Sequence, residues 1–176
     1  MRTNDIHSGT RARTALLVTG SALLSVLGTL GSLYAAGILP PLNRQAAVRD
    51  LGRQIMPFDL DQTTHNFKTT DTGGIEMVIA KDPTNTEQIA LIQTHLQHEI
   101  MRFRTGDFSD PTAIHGADMP GVSELAAGAT NIQFNYTALS NGAQITYTTQ
   151  DPRLIQALHR WFAAQLSDHG HDATGQ

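Results

Sequence analysis

The sequence predicts an α+β domain in which two ββα units form one four-stranded antiparallel sheet with both helices on one face. Two observations predict this fold. Strand-like alternation followed by a glycine-containing turn occurs twice along the chain, and each occurrence precedes an Asp-Pro dipeptide typical of a helix start. A third observation, a long apolar segment near the N-terminus, predicts one transmembrane helix before the domain.

The first ββα unit begins with alternating residues 63–69, which predict a strand. The sequence Asp71-Thr-Gly-Gly74 is typical of a hairpin turn, and residues 75–80 return as the second strand. Asp82-Pro83 then predicts the start of a helix that runs to about residue 104.

The second unit repeats this order of elements. Strands are predicted over residues 131–137 and 144–149, joined by the strong hairpin signal Asn141-Gly142. Asp151-Pro152 opens a helix that extends to about residue 167. Both helices carry the tripeptide Leu-Ile-Gln, so we interpret the two units as an internal repeat.

Residues 15–39 form an uncharged, mainly apolar segment long enough to cross a bilayer. Arg2, Arg11 and Arg13 precede it, and the positive-inside rule keeps that end in the cytoplasm. The alternative is a cleaved signal peptide, whose apolar core is usually only about 7–15 residues long. The length favours an uncleaved anchor in the bacterial inner membrane, with the C-terminal domain in the periplasm.

These signals divide the chain into five regions with different expected roles. They are a cytoplasmic N-terminus (1–14), a transmembrane anchor (15–39), a linker (40–61), the α+β domain (62–167) and a flexible tail (168–176). Within the domain, the repeats cover residues 63–104 and 131–167. A loop of residues 105–130 joins them, with a short helix expected over residues 122–127.

The composition limits the chemistry available to the domain. The formal charge of −4 and the absence of a Lys/Arg cluster argue against a nucleic-acid partner. The chain has no cysteine, which excludes disulfides, thiolate metal sites and cysteine nucleophiles. Eight histidines, five methionines and the carboxylates remain as metal ligands.

The central loop contains His115 and Met119, four residues apart among glycines and prolines that allow a sharp turn. An imidazole and a thioether together suit copper, and the same pair can ligate a non-covalent haem axially. We therefore predict a metal site at His115 and Met119, with copper first and haem second. The alternative is that Met119 fills the edge of the core and His115 caps a helix.

Other histidines can complete such a site. His65 shares a predicted strand face with Phe67, and His95 falls at the margin of the apolar stripe of its helix, so these two are the preferred additional ligands. His159 and His169 are weaker candidates. Each of these side chains has a structural alternative, in which its ring is hydrogen-bonded within the core.

Several stretches of this chain resemble a family of small exported, largely uncharacterised bacterial proteins that are often labelled aspartate carbamoyltransferase. The resemblance covers about residues 65–170. The stretches that carry it are Lys81-Asp-Pro, Glu87-Gln-Ile-Ala-Leu-Ile-Gln-Thr-His95-Leu, Gly106-Asp-Phe-Ser-Asp-Pro, Ile114-His-Gly-Ala-Asp-Met-Pro-Gly121, Asp151-Pro, Ala157-Leu-His159-Arg-Trp-Phe and Asp168-His-Gly170. The pattern shared with the family falls on His65, His95, His115, Met119, His159 and His169. The Ser-Thr-Arg-Thr and His-Pro-x-Gln segments of true carbamoyltransferases are absent, so the resemblance implies no carbamoyl transfer.

The sequence thus predicts a membrane-anchored periplasmic metal-binding protein, active in metal handling or as an accessory subunit of a membrane redox complex. A membrane protein complex is the expected partner, contacted through the N-terminal helix. Hydrolase, zinc-protease and phosphate-loop motifs are absent, which favours a non-enzymatic role. The alternative is a metal-free periplasmic interaction or sensory domain with structural histidines.

Overall fold

The computed structural model of the chain describes residues 44–175. The predicted cytoplasmic N-terminus and transmembrane anchor lie outside these residues. Within the described part, no helix has the length and apolar character needed to span a membrane.

The described residues form an α+β fold. The helices are α1 (Arg44–Ile55), α2 (Thr86–Phe103), α3 (Ser109–His115), α4 (Val122–Gly128) and α5 (Pro152–His169), with short 3-10 helices at Ala129–Asn131 and Gly170–Asp172. The strands are β1 (Thr63–Thr70), β2 (Gly73–Ala80), β3 (Gln133–Leu139), β4 (Gly142–Thr148) and β5 (Ala173–Gly175).

The sheet has five strands and is mixed, with the order β3-β4-β2-β1-β5. The prediction of a four-stranded, purely antiparallel sheet was therefore wrong, because a fifth, parallel strand lies at one edge of the sheet. β5 pairs in parallel with β1, with His65 opposite Ala173, whereas the other neighbours are antiparallel. The extra strand comes from the C-terminal segment that was predicted to be a flexible tail. Gly170, at a φ of +56°, ends α5 and turns the chain back to the sheet edge.

Both long helices pack on the same face of the sheet, over a core rich in aromatic rings. The rings of Phe103 from α2 and Trp161 from α5 lie 5.9 Å apart, nearly perpendicular, and both rings also contact Tyr147 of β4. Tyr147, Trp161 and Phe162 are almost fully buried. Edge-to-face packing of this kind adds about 0.5–1.5 kcal/mol per pair to the free energy gained by burial.

Residues 44–61, the described part of the segment predicted as a linker, contribute to the folded domain. Helix α1 packs against α3 and α5, and its Val48 is buried. Phe58 and Leu60, which follow it, belong to the hydrophobic core. A domain that begins at residue 62 would therefore lose part of its own core.

The connection between the two halves contains α3, which was not predicted, and α4, which confirms the short helix expected over residues 122–127. Pro111 lies in the first turn of α3, where backbone N–H groups have no partner within the helix, so the proline does not break it. Gly121 precedes α4 with a φ of +87°, and a Cβ atom at this position would lie 2.2 Å from the carbonyl oxygen of Ala157. The glycine lets this segment pack directly on α5.

Candidate functional site

A small, largely enclosed cavity lies between the sheet and the helices, and four histidines from four different elements line it. They are His65 of β1, His95 of α2, His115 of α3 and His169 of α5. Its volume of about 30 Å³ is enough for one or two water molecules or a metal ion. We call it the histidine cavity. The other residues that line it are Met56, Glu76, Val78, Leu96, Glu99, Phe103, Pro111, Ile114, Ile145, Trp161 and Gln165.

Three of the imidazole rings are in contact in a row. The ring of His169 lies 5.1 Å from that of His65 and 5.0 Å from that of His115, measured between ring centroids. Imidazoles bound to one tetrahedral metal ion through nitrogens at about 2.0–2.1 Å have centroids roughly 5 Å apart. The spacing of these rings is therefore compatible with a shared ion.

The donor atoms themselves are not arranged around a common point. In residues 44–175, no group of three or more histidine, aspartate or glutamate side chains is positioned to hold a metal ion. A metal bound in the histidine cavity would require the imidazoles to turn their nitrogens toward one centre.

Three of the four rings carry nitrogens that the protein does not use. Among the hydrogen bonds of the described residues, none involves the rings of His65, His95 or His169. Burial lowers the pKa of His65 well below its usual value and the pKa of His95 and His169 to about 4. These imidazoles are neutral near pH 7, the form that offers a lone pair to a metal ion.

His115 is held by a chain of charged groups. Its Nδ1 lies 2.9 Å from Oδ2 of Asp168, and Nε of Arg44 donates to Oδ1 of the same carboxylate at 2.5 Å. Arg44 also donates through Nη2 to the carbonyl oxygen of His115 at 3.1 Å. If Nδ1 of His115 carries the proton donated to Asp168, Nε2 is left with the lone pair.

The ionisation of this group follows from its surroundings. Burial lowers the pKa of His115, although the hydrogen bond to Asp168 opposes that change. Burial alone would raise the pKa of Asp168, but the hydrogen bonds from Arg44 and His115 outweigh it, and the net pKa is lowered. Asp168 is therefore a carboxylate that orients a neutral His115, an arrangement common behind metal-binding histidines.

Two carboxyl groups that line the cavity have raised pKa values. Desolvation raises the pKa of Glu76 to about 7, although the hydroxyl of Tyr147 donates to its Oε2 at 2.6 Å. Desolvation, together with Asp110, raises the pKa of Glu99 to about 8. Near neutral pH the cavity therefore combines neutral imidazoles with a largely protonated Glu99 and a partly protonated Glu76.

Two further polar atoms in the wall have no partner. Nε1 of Trp161 and Oε1 of Gln165 are buried, and within the part of the chain that the structure describes they make no hydrogen bond. Buried polar groups are nearly always paired, with protein, water or ligand. Both residues line the cavity, so a water or another polar group bound there can pair with these atoms.

The structure brings together only part of the predicted ligand set. His65, His95, His115 and His169 line the same cavity, whereas Met119 does not and is buried in the hydrophobic core. Met56 supplies a thioether to the cavity wall instead. No local pattern singled out Met56, because it lies in the segment predicted as a linker.

His159, a weaker candidate, lies elsewhere. Its Nε2 is 3.0 Å from the carbonyl oxygens of both Thr70 and Gly73, so the ring can donate to the β1–β2 turn. His159 thus has the structural role that the sequence offers as the alternative to metal binding, a ring hydrogen-bonded within the fold.

The size of the cavity also bears on the choice between copper and haem. Pockets for cofactors and drug-sized ligands typically measure about 300–1,000 Å³. The histidine cavity, at about 30 Å³, has the dimensions of an ion with its ligands and not of a porphyrin.

Comparison with known proteins gives no direct guide to this site. No protein-family model, curated protein or solved structure matches the chain at a significant level.

Proposed function

We propose that the chain binds one transition-metal ion in the histidine cavity, with His65, His115 and His169 as ligands and copper as the preferred ion. The observation that carries this proposal is the meeting of four histidines, from four separate elements, on a single cavity of ion size. His95 and Met56 are the further donors within reach of the same space.

The free energy of burial supports a ligand over a purely structural role. A buried polar group without a hydrogen bond costs about 1–3 kcal/mol of stability. Two such groups belong to residues that line the cavity, the Trp161 N–H and the Gln165 side-chain carbonyl. A bound ion with its water would give these groups polar partners. Apolar side chains at the same positions would need no such partners and would carry no penalty for burial.

The donor types favour copper among the transition metals. Imidazole binds both oxidation states of copper, and a thioether such as that of Met56 favours Cu(I). Hard ions such as Mg²⁺ prefer several ionised carboxylates, whereas near neutral pH Glu99 is largely protonated and Glu76 only partly ionised. Haem is the second choice and needs far more space than the cavity provides.

We further propose that residues 15–39 anchor this domain in the bacterial inner membrane, with the metal site in the periplasm. The protein would then act in metal handling or as an accessory subunit of a membrane redox complex. The support is the sequence alone, as it is for the internal ββα repeat and for the resemblance to small exported proteins.

A second candidate function is a metal-free interaction or sensory domain. It is favoured by one specific observation, that the donor atoms of residues 44–175 do not converge in the described arrangement. In that case the cavity would hold water between neutral imidazoles and protonated acids.

Copper titration of the full-length chain, purified in detergent without a histidine tag, separates the two functions. We expect one copper ion per chain, with affinity better than micromolar against a chromophoric competitor for Cu(I). His169→Ala removes the central ring and should weaken binding at least 100-fold, whereas the exposed His171→Ala is the matched control and should not. Binding no tighter than micromolar, or equal binding by His169→Ala, would contradict the proposal.

Trp161 offers a second readout of the same titration. It is the one tryptophan in the chain, and its ring lines the histidine cavity. Copper bound in the cavity should quench its fluorescence in proportion to occupancy. Binding without quenching would indicate an ion elsewhere on the protein.

A further inference from the structure

A surface groove adjoins the histidine cavity, and one histidine belongs to both. The groove, of about 520 Å³, runs between the end of α1 and the outer side of α2. His95 lines the groove and also lines the cavity. Its side chain is therefore part of the wall that separates the two spaces.

The other part of this wall is the chain that leaves α1. Ile55 and Pro57 line the groove, and Met56 between them lines the cavity. His95 and Met56 are thus two residues at which the groove and the cavity adjoin. Both can change rotamer without moving a helix or a strand.

A second histidine lies in the groove on the solvent side of this wall. His98 is exposed and follows His95 at i+3, so the two rings lie on neighbouring turns of α2. Two imidazoles on neighbouring turns beside an open groove can take up a transition-metal ion from solvent, with water as the remaining ligands.

We propose that His98 and His95 form an outer capture site for the metal ion, and that His95 then delivers the ion inward past Met56 to the histidine cavity. This inference rests on the proposed function, because it names the route to the site that the proposed function describes. The ligand is the same copper ion, and an imidazole is available at each stage of the path.

The rate of copper arrival at Trp161 tests the route in the full-length chain. Copper is released from a chromophoric chelator in a stopped-flow instrument, and quenching of Trp161 is followed in time. We expect His98→Ala to slow quenching about tenfold, because the outer site raises the local ion concentration at the entrance. Dissociation into excess chelator should slow by a similar factor, since entry and exit share one path.

A second variant and a control complete the test. Thr94→Trp fills the groove from an exposed position on α2 and should slow quenching at least as strongly as His98→Ala. It adds a second tryptophan, so its uptake is followed by the absorbance of the chelator. His171→Ala, which also removes an exposed histidine, should leave the rate unchanged.

Each outcome bears on one of the two proposals. If wild type binds copper tightly and both groove variants take it up at the wild-type rate, the route is wrong and the metal site stands. If wild type binds no copper, the metal site is wrong and the route is lost with it.

Discussion

The two halves of the core lie on the same face of one sheet and differ in polar content. The half under β3 and β4 is filled by aromatic rings: Phe103, Phe108, Phe134, Tyr147 and Trp161. The half under β1 also holds aromatic rings, among them Phe67 and Phe162, but it adds polar side chains around a cavity that Phe103 and Trp161 help to line: His65, His115, His169, Glu76 and Glu99. We call them the aromatic half and the histidine half. The polar side chains, and not a lack of aromatic rings, distinguish the second half.

The contrast is sharpest between His65 and Phe134, which occupy corresponding positions in the β1–β2 and β3–β4 hairpins, each five residues before the last paired residue of its strand. Both are buried, at 5% and 3% exposure respectively. Phe134 has aromatic neighbours at 5.6 and 6.4 Å, whereas the ring nitrogens of His65 have no protein partner among the described residues. The predictions below compare the two halves, from the largest expected effect to the smallest.

Phe134→Ala should destabilise the chain by about 3–5 kcal/mol, because it removes a buried ring and leaves a cavity in the aromatic half. Chemical denaturation measures this change in the free energy of unfolding. Phe134→Leu, which keeps most of the volume, should cost much less and serves as the control. A loss below about 1 kcal/mol for the alanine variant would show that this half is not the tightly packed one.

Asp168→Asn should weaken copper binding by about 10–100-fold, because the carboxylate that orients His115 loses its charge. Competition titration measures the affinity, and fluorescence of Trp161 confirms the position of the ion. Asp61→Asn is the matched control: Asp61 also pairs with arginines, Arg49 and Arg53, but on the surface and away from the cavity. Equal affinities for the two variants would mean that Asp168 has only a structural role.

The pH dependence of the metal-free chain should reveal the protonated acids of the histidine half. The pKa of Glu99 is raised to about 8 in the folded chain, so the stability gained from its proton is complete below about 4.5 and is lost as pH rises through 8. Between pH 6.5 and 8 the free energy of unfolding should therefore fall by up to about 1.4 kcal/mol per pH unit because of Glu99.

The buried histidines act in the opposite direction and in another window. Their pKa values are lowered in the folded chain, so the free energy of unfolding decreases as pH falls from 6.5 toward 4. Above pH 6.5 the histidines stay neutral, and the pH dependence of stability comes from the carboxyls. Glu99→Gln should flatten the loss of stability above pH 6.5, whereas the exposed Glu87→Gln should not. Urea denaturation at several pH values measures the effect, and an unchanged slope in Glu99→Gln would refute the raised pKa.

The sequence predicted the local elements of this fold well, for reasons visible in particular residues. Alternation put His65 and Phe67 on one buried face of β1, and the position of His95 on its helix matched the half-buried side chain observed. Asp151 caps α5 by accepting a hydrogen bond from the backbone N–H of Arg153. Such signals depend on neighbours within a few residues, which a sequence displays directly.

The parts that were missed depend on distant partners. Arg44 meets Asp168 across 124 residues of chain, and neither the predicted linker nor the predicted tail carried a periodic pattern. β5 has three residues and forms only because β1 offers a free edge. His115 and Met119 are four residues apart, but α3 ends at His115, and the turn that follows leaves only the histidine at the cavity.

His65→Leu provides the smallest effect and the most direct comparison of the two halves. In the metal-free chain we expect it to stabilise the fold by about 1 kcal/mol at pH 7, since leucine needs no hydrogen bond in the histidine half. Excess copper should reverse the order, because wild type gains about 2.7 kcal/mol at 100 times its Kd and a variant without His65 gains little. Thermal or urea unfolding of wild type and His65→Leu, with and without copper, measures both the stability difference of the metal-free chains and the stabilisation by copper. If His65→Leu destabilises the metal-free chain and copper leaves the difference unchanged, the imidazole is part of the packing and the two halves of the core serve the same purpose.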